Sequence, residues 1–211
     1  MKIDLNISLN KVPDHTIMET PIQLKKLLIL DLDGTLIYAQ DKPVPNADFV
    51  IGNGIETYWV KKRPYLDEFL VAASESYNLA IWSASPRWYV DAIVKNIIPT
   101  NIKLEYIYSG ERCISRYPNW FAPSESMHTA IIIKDLQKIW HAKSASGQYY
   151  SRDNTLILDD TPSTYTRNYG NAIPIRSYTG SKTDIELQRV LKILESLKNV
   201  SSVRYIEKRS R

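Results

Sequence analysis

Residues 27–35 read Leu27-Leu28-Ile29-Leu30-Asp31-Leu32-Asp33-Gly34-Thr35, and this stretch sets the fold. Four apolar residues that close on a carboxylate are the pattern of a strand buried on both faces, whose carboxyl end opens into a ligand site. Two further segments have the same form. Leu79-Ala80-Ile81-Trp82 runs into Ser83, and Thr155-Leu156-Ile157-Leu158 runs into Asp159-Asp160. Helical periodicity lies around them, over 65–77 after Pro64, 87–96 after Pro86, and 134–141. Strands alternating with helices predict an α/β fold with a doubly wound, mostly parallel sheet and helices on both faces.

Residues 44–60 differ. Phe49-Val50-Ile51 and Tyr58-Trp59-Val60 flank Gly52-Asn53-Gly54, which predicts a β-hairpin projecting beside the first strand. Residues 113–127 read as an irregular loop or small insertion, and 143–154, rich in Ser, Gly and Tyr, as a mobile loop. Ile185, Val190, Ile193, Leu194 and Leu197 predict a final amphipathic helix, with Thr183 and Glu186 as its capping box. The chain thus divides into an extension over 1–24, one domain over 25–198 and a basic tail over 199–211.

A length of 211 residues suits one compact domain, and 44% hydrophobic with 24% charged residues is a globular balance. The longest apolar runs are far too short to span a bilayer, and residues 1–9 lack the apolar core of a secretory signal. The single cysteine, Cys113, excludes an internal disulfide, and His15, His128 and His141 have no zinc-ligand spacing. A monomer in a reducing, intracellular compartment is expected: cytoplasm, nucleus, or a host cytosol for a delivered bacterial protein. The net charge of +4 is dispersed along the chain, which points to solubility and not to a nucleic-acid partner.

The carboxylates carry the chemistry. Asp31 and Asp33, two positions apart at the end of a buried strand, can divide the work of attack and proton transfer. A carboxylate attacks phosphorus when the phosphate's charge is neutralised, giving an acyl phosphate that water can cleave. Asp31 is the expected nucleophile, and Asp33 the acid that protonates the leaving oxygen and then the base toward water. Gly34 permits a sharp exit, and the Thr35 hydroxyl can hold the loop. Asp159-Asp160 ends another strand, so two carboxylate pairs converge at one sheet edge. Unit charges about 4 Å apart repel by about 4 kcal/mol at an effective dielectric near 20, so a cation is required. Magnesium suits an all-oxygen site of this kind. Lys134, after Ile131-Ile132-Ile133, can supply the remaining positive charge, and Ser83 can donate to a phosphoryl oxygen.

Asp31-Leu32-Asp33-Gly34-Thr35-Leu36, Trp82-Ser83-Ala84-Ser85, Lys134-Asp135-Leu136 and Leu158-Asp159-Asp160 resemble the four ordered motifs of the haloacid dehalogenase superfamily. More narrowly, the chain is similar to the C-terminal-domain phosphatases, small protein phosphatases that act on the RNA polymerase II tail. Segments 42–50, 62–70 and 171–175 look similar to that family too, so the likeness runs from about Lys25 to Leu197. It implies a haloacid-dehalogenase-like fold without a large cap domain, Asp31 as nucleophile and Asp33 as acid/base. It also implies phosphate binding by Thr35, Ser83 and Lys134. A magnesium site follows from Asp31, Asp160 and the Asp33 carbonyl, with Asp159 as a ligand or as a partner of Lys134. Segments 113–134 and 134–159 look longer than in small family members, and Gly110 stands where the family has an arginine near Glu111.

A cysteine-class phosphatase is disfavoured, since Cys113 lacks an arginine six residues on; that position is Asn119. Cys113 reads as a buried small hydrophobe, Arg63 and Arg112 as surface charges, and the five tryptophans as packing residues. A small-metabolite phosphatase is the second reading, disfavoured because the stretch from Thr35 to Ser83 is too short for a large cap. A non-catalytic phosphoprotein-binding module is the third, disfavoured because each catalytic position holds a competent residue. The substrate is expected to be a phosphoprotein carrying phosphotyrosine, phosphoserine or phosphothreonine. Trp88, Tyr89 and Arg87 are expected to line its pocket. With Pro86 as wall and Gly110 removing bulk, they are expected to lean the choice toward phosphotyrosine.

Overall fold

A computed structural model describes residues 24–117 and 130–208. The three apolar segments form β1 (Lys26–Leu30), β5 (Tyr77–Trp82) and β9 (Thr155–Asp159), and all five residues of β1 are buried. They are joined by β6 (Leu104–Tyr108) and β10 (Ala172–Pro174) in an all-parallel sheet of order β10-β9-β1-β5-β6. Leu30 is in register with Leu158 on one side and Ile81 on the other, so Asp31, Asp159 and Ser83 emerge at one edge. The chain reverses its winding between β1 and β9, which is where such sheets bind ligands.

Side-chain alternation splits the core in two. Leu28, Leu30, Leu79, Ile81, Leu156 and Leu158 face α1 (Leu66–Ser76), α2 (Arg87–Ile97) and α4 (Glu186–Leu197). Each helix presents a buried stripe at helical spacing, such as Leu66, Phe69, Leu70 and Ala73 in α1. Leu27, Ile29, Ala80, Trp82 and Ile157 face the other way, onto Leu136, Ile139, Tyr150 and Tyr165. Here the helix expected over 134–141 shortens to one turn, α3 (Gln137–Trp140). Lys134 is drawn into the site, its N–H donating to the Thr164 carbonyl, and the Asp135 carboxylate accepts the Gln137 N–H at the helix start. Helices therefore lie on both faces, but unequally.

The hairpin forms as β3 (Phe49–Gly52) and β4 (Thr57–Lys62), with β2 (Ile37–Gln40) added on the other side of β4. Asn53 Oδ1 accepts the N–H groups of Ile55 and Glu56, both at 2.9 Å, and fixes the turn. β7 (Ile114–Arg116) pairs with β8 (Ile131–Ile133), so the insertion starts as a two-stranded ribbon; residues 118–129 of the expected loop lie outside the described residues. The loop over 143–154 is anchored, not free. Tyr150 is buried and its hydroxyl accepts from Asn78, while Ser146 donates its N–H to Glu105. Residues 199–208 also pack on the domain: Val203 is fully buried, and Lys208 Nζ donates to the Gly170 carbonyl. The capping box does not form. Asp184 accepts the Glu186 N–H instead, because Glu186 turns toward Arg189 and the Arg176 N–H.

Candidate active site

The sheet edge places Asp31 and Asp159 on either side of Lys134. Lys134 Nζ donates to Asp31 Oδ1 at 2.5 Å and Asp159 Oδ2 at 2.7 Å, and the ammonium is 1% exposed. The other Asp159 oxygen accepts the Thr161 N–H at 2.8 Å, so both its oxygens are engaged in holding Lys134 and the following loop. Burial pushes the Asp31 carboxyl up to about 7 against the pull of Lys134, with Asp159 adding to the rise. Lys134 loses favour through burial, but Asp31 and Asp159 outweigh that and raise its pKa, so it is an ammonium at neutral pH.

Thr35 is fully buried and its hydroxyl donates to Asp31 Oδ2 at 3.3 Å, so it steadies the nucleophile and does not point to a phosphate, contrary to expectation. Ser83 is buried at the end of β5. Its Oγ accepts the Ser85 N–H at 3.1 Å, which leaves the hydroxyl able to donate to a phosphoryl oxygen. Gly34 has φ 74, and a Cβ there would lie 2.4 Å from Asp160 Oδ2, so only glycine lets the two acidic loops close up.

Carboxylate oxygens of Asp31, Asp159 and Asp160 lie within 4.8 Å of one another. An all-oxygen donor set with net negative charge and one ammonium fits a hard divalent cation such as Mg2+. The Asp33 carboxylate stands apart from this group. It accepts from the Tyr89 hydroxyl at 2.5 Å and from Ser85 Oγ at 3.0 Å. Burial raises its pKa, and the two hydroxyl donors oppose that rise.

The expected pocket residues separate. Tyr89 is 5% exposed and committed to Asp33. Trp88 is half-buried, 6.2 Å from Tyr58 between ring centroids, and both line a groove of about 260 Å³ that reaches Asp33. Arg87 turns away, pairing with Asp91 at 2.8 Å and donating to the Ile107 carbonyl. Gly110 opens nothing, because a Cβ there would meet the Ala84 carbonyl at 2.3 Å: its bareness lets the chain after β6 press on the Ser83 loop. Cys113 is half-buried behind that loop, with burial raising its thiol pKa. A larger cavity of about 640 Å³, bounded by Tyr165, Tyr169, Arg204 and Ile206, lies at the β10 edge and is lined by none of the four carboxylates.

The sequence model of the NLI interacting factor-like phosphatases matches residues 26–204. The chain belongs to this family. Its relatives include a probable C-terminal domain small phosphatase of Dictyostelium discoideum, 33% identical over 88% of this chain and 55% of that protein. The human carboxy-terminal domain RNA polymerase II polypeptide A small phosphatase 2 is 30% identical over 83% of this chain and 58% of that one. The chain thus spans a little over half the length of these relatives. Among solved structures, that of Fcp1, an essential RNA polymerase II CTD phosphatase, superposes with a TM-score of 0.59 at 19% identity, over 82% of this chain and 62% of that one. The fold is therefore haloacid-dehalogenase-like, with the small antiparallel sheet in place of a large cap.

Against this family background, two contributors escaped the sequence reading. Ser85 sits inside a quoted motif, but its hold on Asp33 depends on how the loop after β5 curls. Arg63, read as a surface charge, is 1% exposed: it forms a fork with Asp184, two contacts of 2.8 Å, and donates to the Gly34, Thr35 and Arg176 carbonyls. A Lys-Arg-Pro run just before a helix carried the signal, but not the partner 121 residues away.

Proposed function

We propose that the chain is a magnesium-dependent phosphoprotein phosphatase working through an aspartyl-phosphate on Asp31. One observation carries this reading: the buried Lys134 ammonium between Asp31 and Asp159, with Asp160 beside them, at the carboxyl edge of a parallel sheet. An Asp31 oxygen forms a bond to phosphorus as the bond to the substrate's ester oxygen breaks, and Asp33 gives that oxygen its proton. Water then attacks the same phosphorus, passing a proton to Asp33, and the bond to Asp31 breaks to free inorganic phosphate. Lys134 and Ser83 hold phosphoryl oxygens in place. A divalent cation on Asp31, Asp160 and the Asp33 carbonyl supplies neutralisation of the phosphate's charge when bound.

The absence of a large cap among the described elements and the groove open at Asp33 support a protein substrate inside the cell. The leaving oxygen lies on the Asp33 side, where Tyr58 and Trp88 line the way in, and an aryl group suits such walls. Phosphotyrosine is accordingly accepted alongside phosphoserine or phosphothreonine, a ranking that matched peptides read directly. Phosphopeptide labelled on phosphorus should leave acid-stable label on the protein that hydroxylamine releases. Asp31→Asn should abolish both the label and turnover, by at least about a thousandfold. Robust turnover in excess chelator would refute the metal assignment, and residual activity in Asp31→Asn would remove the nucleophile.

A further inference from the structure

We propose that the groove beside Asp33 ends in a subsite for a basic side chain of the substrate, built from Glu56, Tyr58 and Trp88. This rests on the phosphatase reading for its inner end and on separate observations for its outer one. The burial gradient divides the groove: Tyr89 is buried and Asp33 and Ser85 are half-buried, whereas Glu56 and Pro86 are exposed. The leaving group occupies the inner end. The outer end is free for a neighbouring residue, and since an extended chain advances about 3.3–3.6 Å per residue, that neighbour is one or two positions away.

Charge decides what the outer end prefers. The residues lining the groove include two carboxylates, Asp33 and Glu56, and no lysine, arginine or histidine. Arg87, next to two of the wall residues in sequence, is spent on Asp91 and the Ile107 carbonyl. Tyr58 and Trp88 stand 6.2 Å apart with planes inclined by 37°, presenting aromatic faces whose quadrupoles attract a cation. Glu56 is held at their rim by its turn. Its N–H donates to Asn53 Oδ1 at 2.9 Å and its carbonyl accepts the Asn53 N–H at 3.2 Å, so the carboxylate's attachment point is fixed. A lysine or arginine meets aromatic faces and a carboxylate together; an acidic residue meets only repulsion.

The test is a set of phosphopeptides identical except for lysine, alanine or glutamate at the positions flanking the phosphorylated residue. Binding to magnesium-loaded Asp31→Asn protein is read by fluorescence anisotropy, with and without an added Glu56→Lys substitution. Lysine peptides should bind about five- to tenfold more tightly than glutamate peptides, as expected for a cation–π contact with an exposed ion pair. Glu56→Lys should reverse that order, and Glu56→Gln should shrink the ratio toward one. An unchanged order in Glu56→Lys, or no preference for lysine at the start, overturns the subsite. Turnover of the same peptides by the wild-type protein is scored separately. If Glu56-dependent binding appears without turnover, the phosphatase reading fails and the subsite stands.

Discussion

The two catalytic carboxylates sit two residues apart and are held by different means. Asp31 is fixed by the sheet: its N–H donates to the Leu158 carbonyl, and its side chain meets an ammonium that belongs to the core. Asp33 lies beyond the last strand residue, and its side chain is oriented by hydroxyls from the β5 loop and α2. The nucleophile's position thus follows from strand register, which the whole core enforces, whereas the acid's orientation rests on two hydrogen bonds. A rigid attacking group beside an acid set by replaceable side chains lets the second be tuned without disturbing the first.

The largest expected effect breaks the first arrangement. Lys134→Met leaves Asp31 and Asp159 buried without their ammonium, so it should abolish turnover and destabilise the fold by about 3–5 kcal/mol. Adding Asp31→Asn to it should restore part of the loss in thermal melts, since one uncompensated charge disappears. If the double variant melts no higher than the single, carboxylate repulsion is not what Lys134 offsets.

A smaller effect sharpens the second arrangement. Tyr89→Phe should leave the melting temperature within a few degrees and slow phosphoserine peptide turnover by about tenfold, within the range of general-acid effects. With p-nitrophenyl phosphate, whose leaving group needs little protonation, the loss should be nearly absent. Equal losses on both substrates would mean that Tyr89 does not act through Asp33.

The smallest effect concerns pH. In metal-free protein Asp31 is raised from 3.8 to about 7, so the folded state holds a proton that the unfolded chain releases. Its stabilisation is present below pH 4 and is lost as pH rises through 7. Melting temperature in chelator should therefore decline modestly between pH 5 and 8, and Asp31→Asn should flatten that decline. A wild-type slope matching the variant's would show that another group controls it.

The same contrast explains what could be read without coordinates. β1, β5 and β9 are central and buried on both faces, so their apolar runs and the polar residues that end them were visible, as was the convergence of Asp31, Ser83, Lys134 and Asp159. β6 and β10 are edge strands, the first mostly half-buried and the second three residues long, and neither has a distinctive pattern. Tyr89 looked like a pocket wall because its hydroxyl's destination depends on how α2 sits against the loop after β1. Thr183 had the spacing of a cap, but Asp184, already engaged by Arg63, lay closer to the first helical N–H. Gly110 suggested open space, while the molecule needed a close backbone approach.

The fork between Arg63 and Asp184 has a consequence for synthesis on the ribosome. Asp160, the last of the acidic site residues, emerges well before Asp184, so a nascent chain can expose every proposed catalytic group while the guanidinium beneath Gly34 and Thr35 still lacks its counter-ion. Burying that cation alone is costly. Closure of the nucleophile's loop must therefore wait for nearly the whole domain, and the protein reaches the end of its translation before it can acquire a working centre.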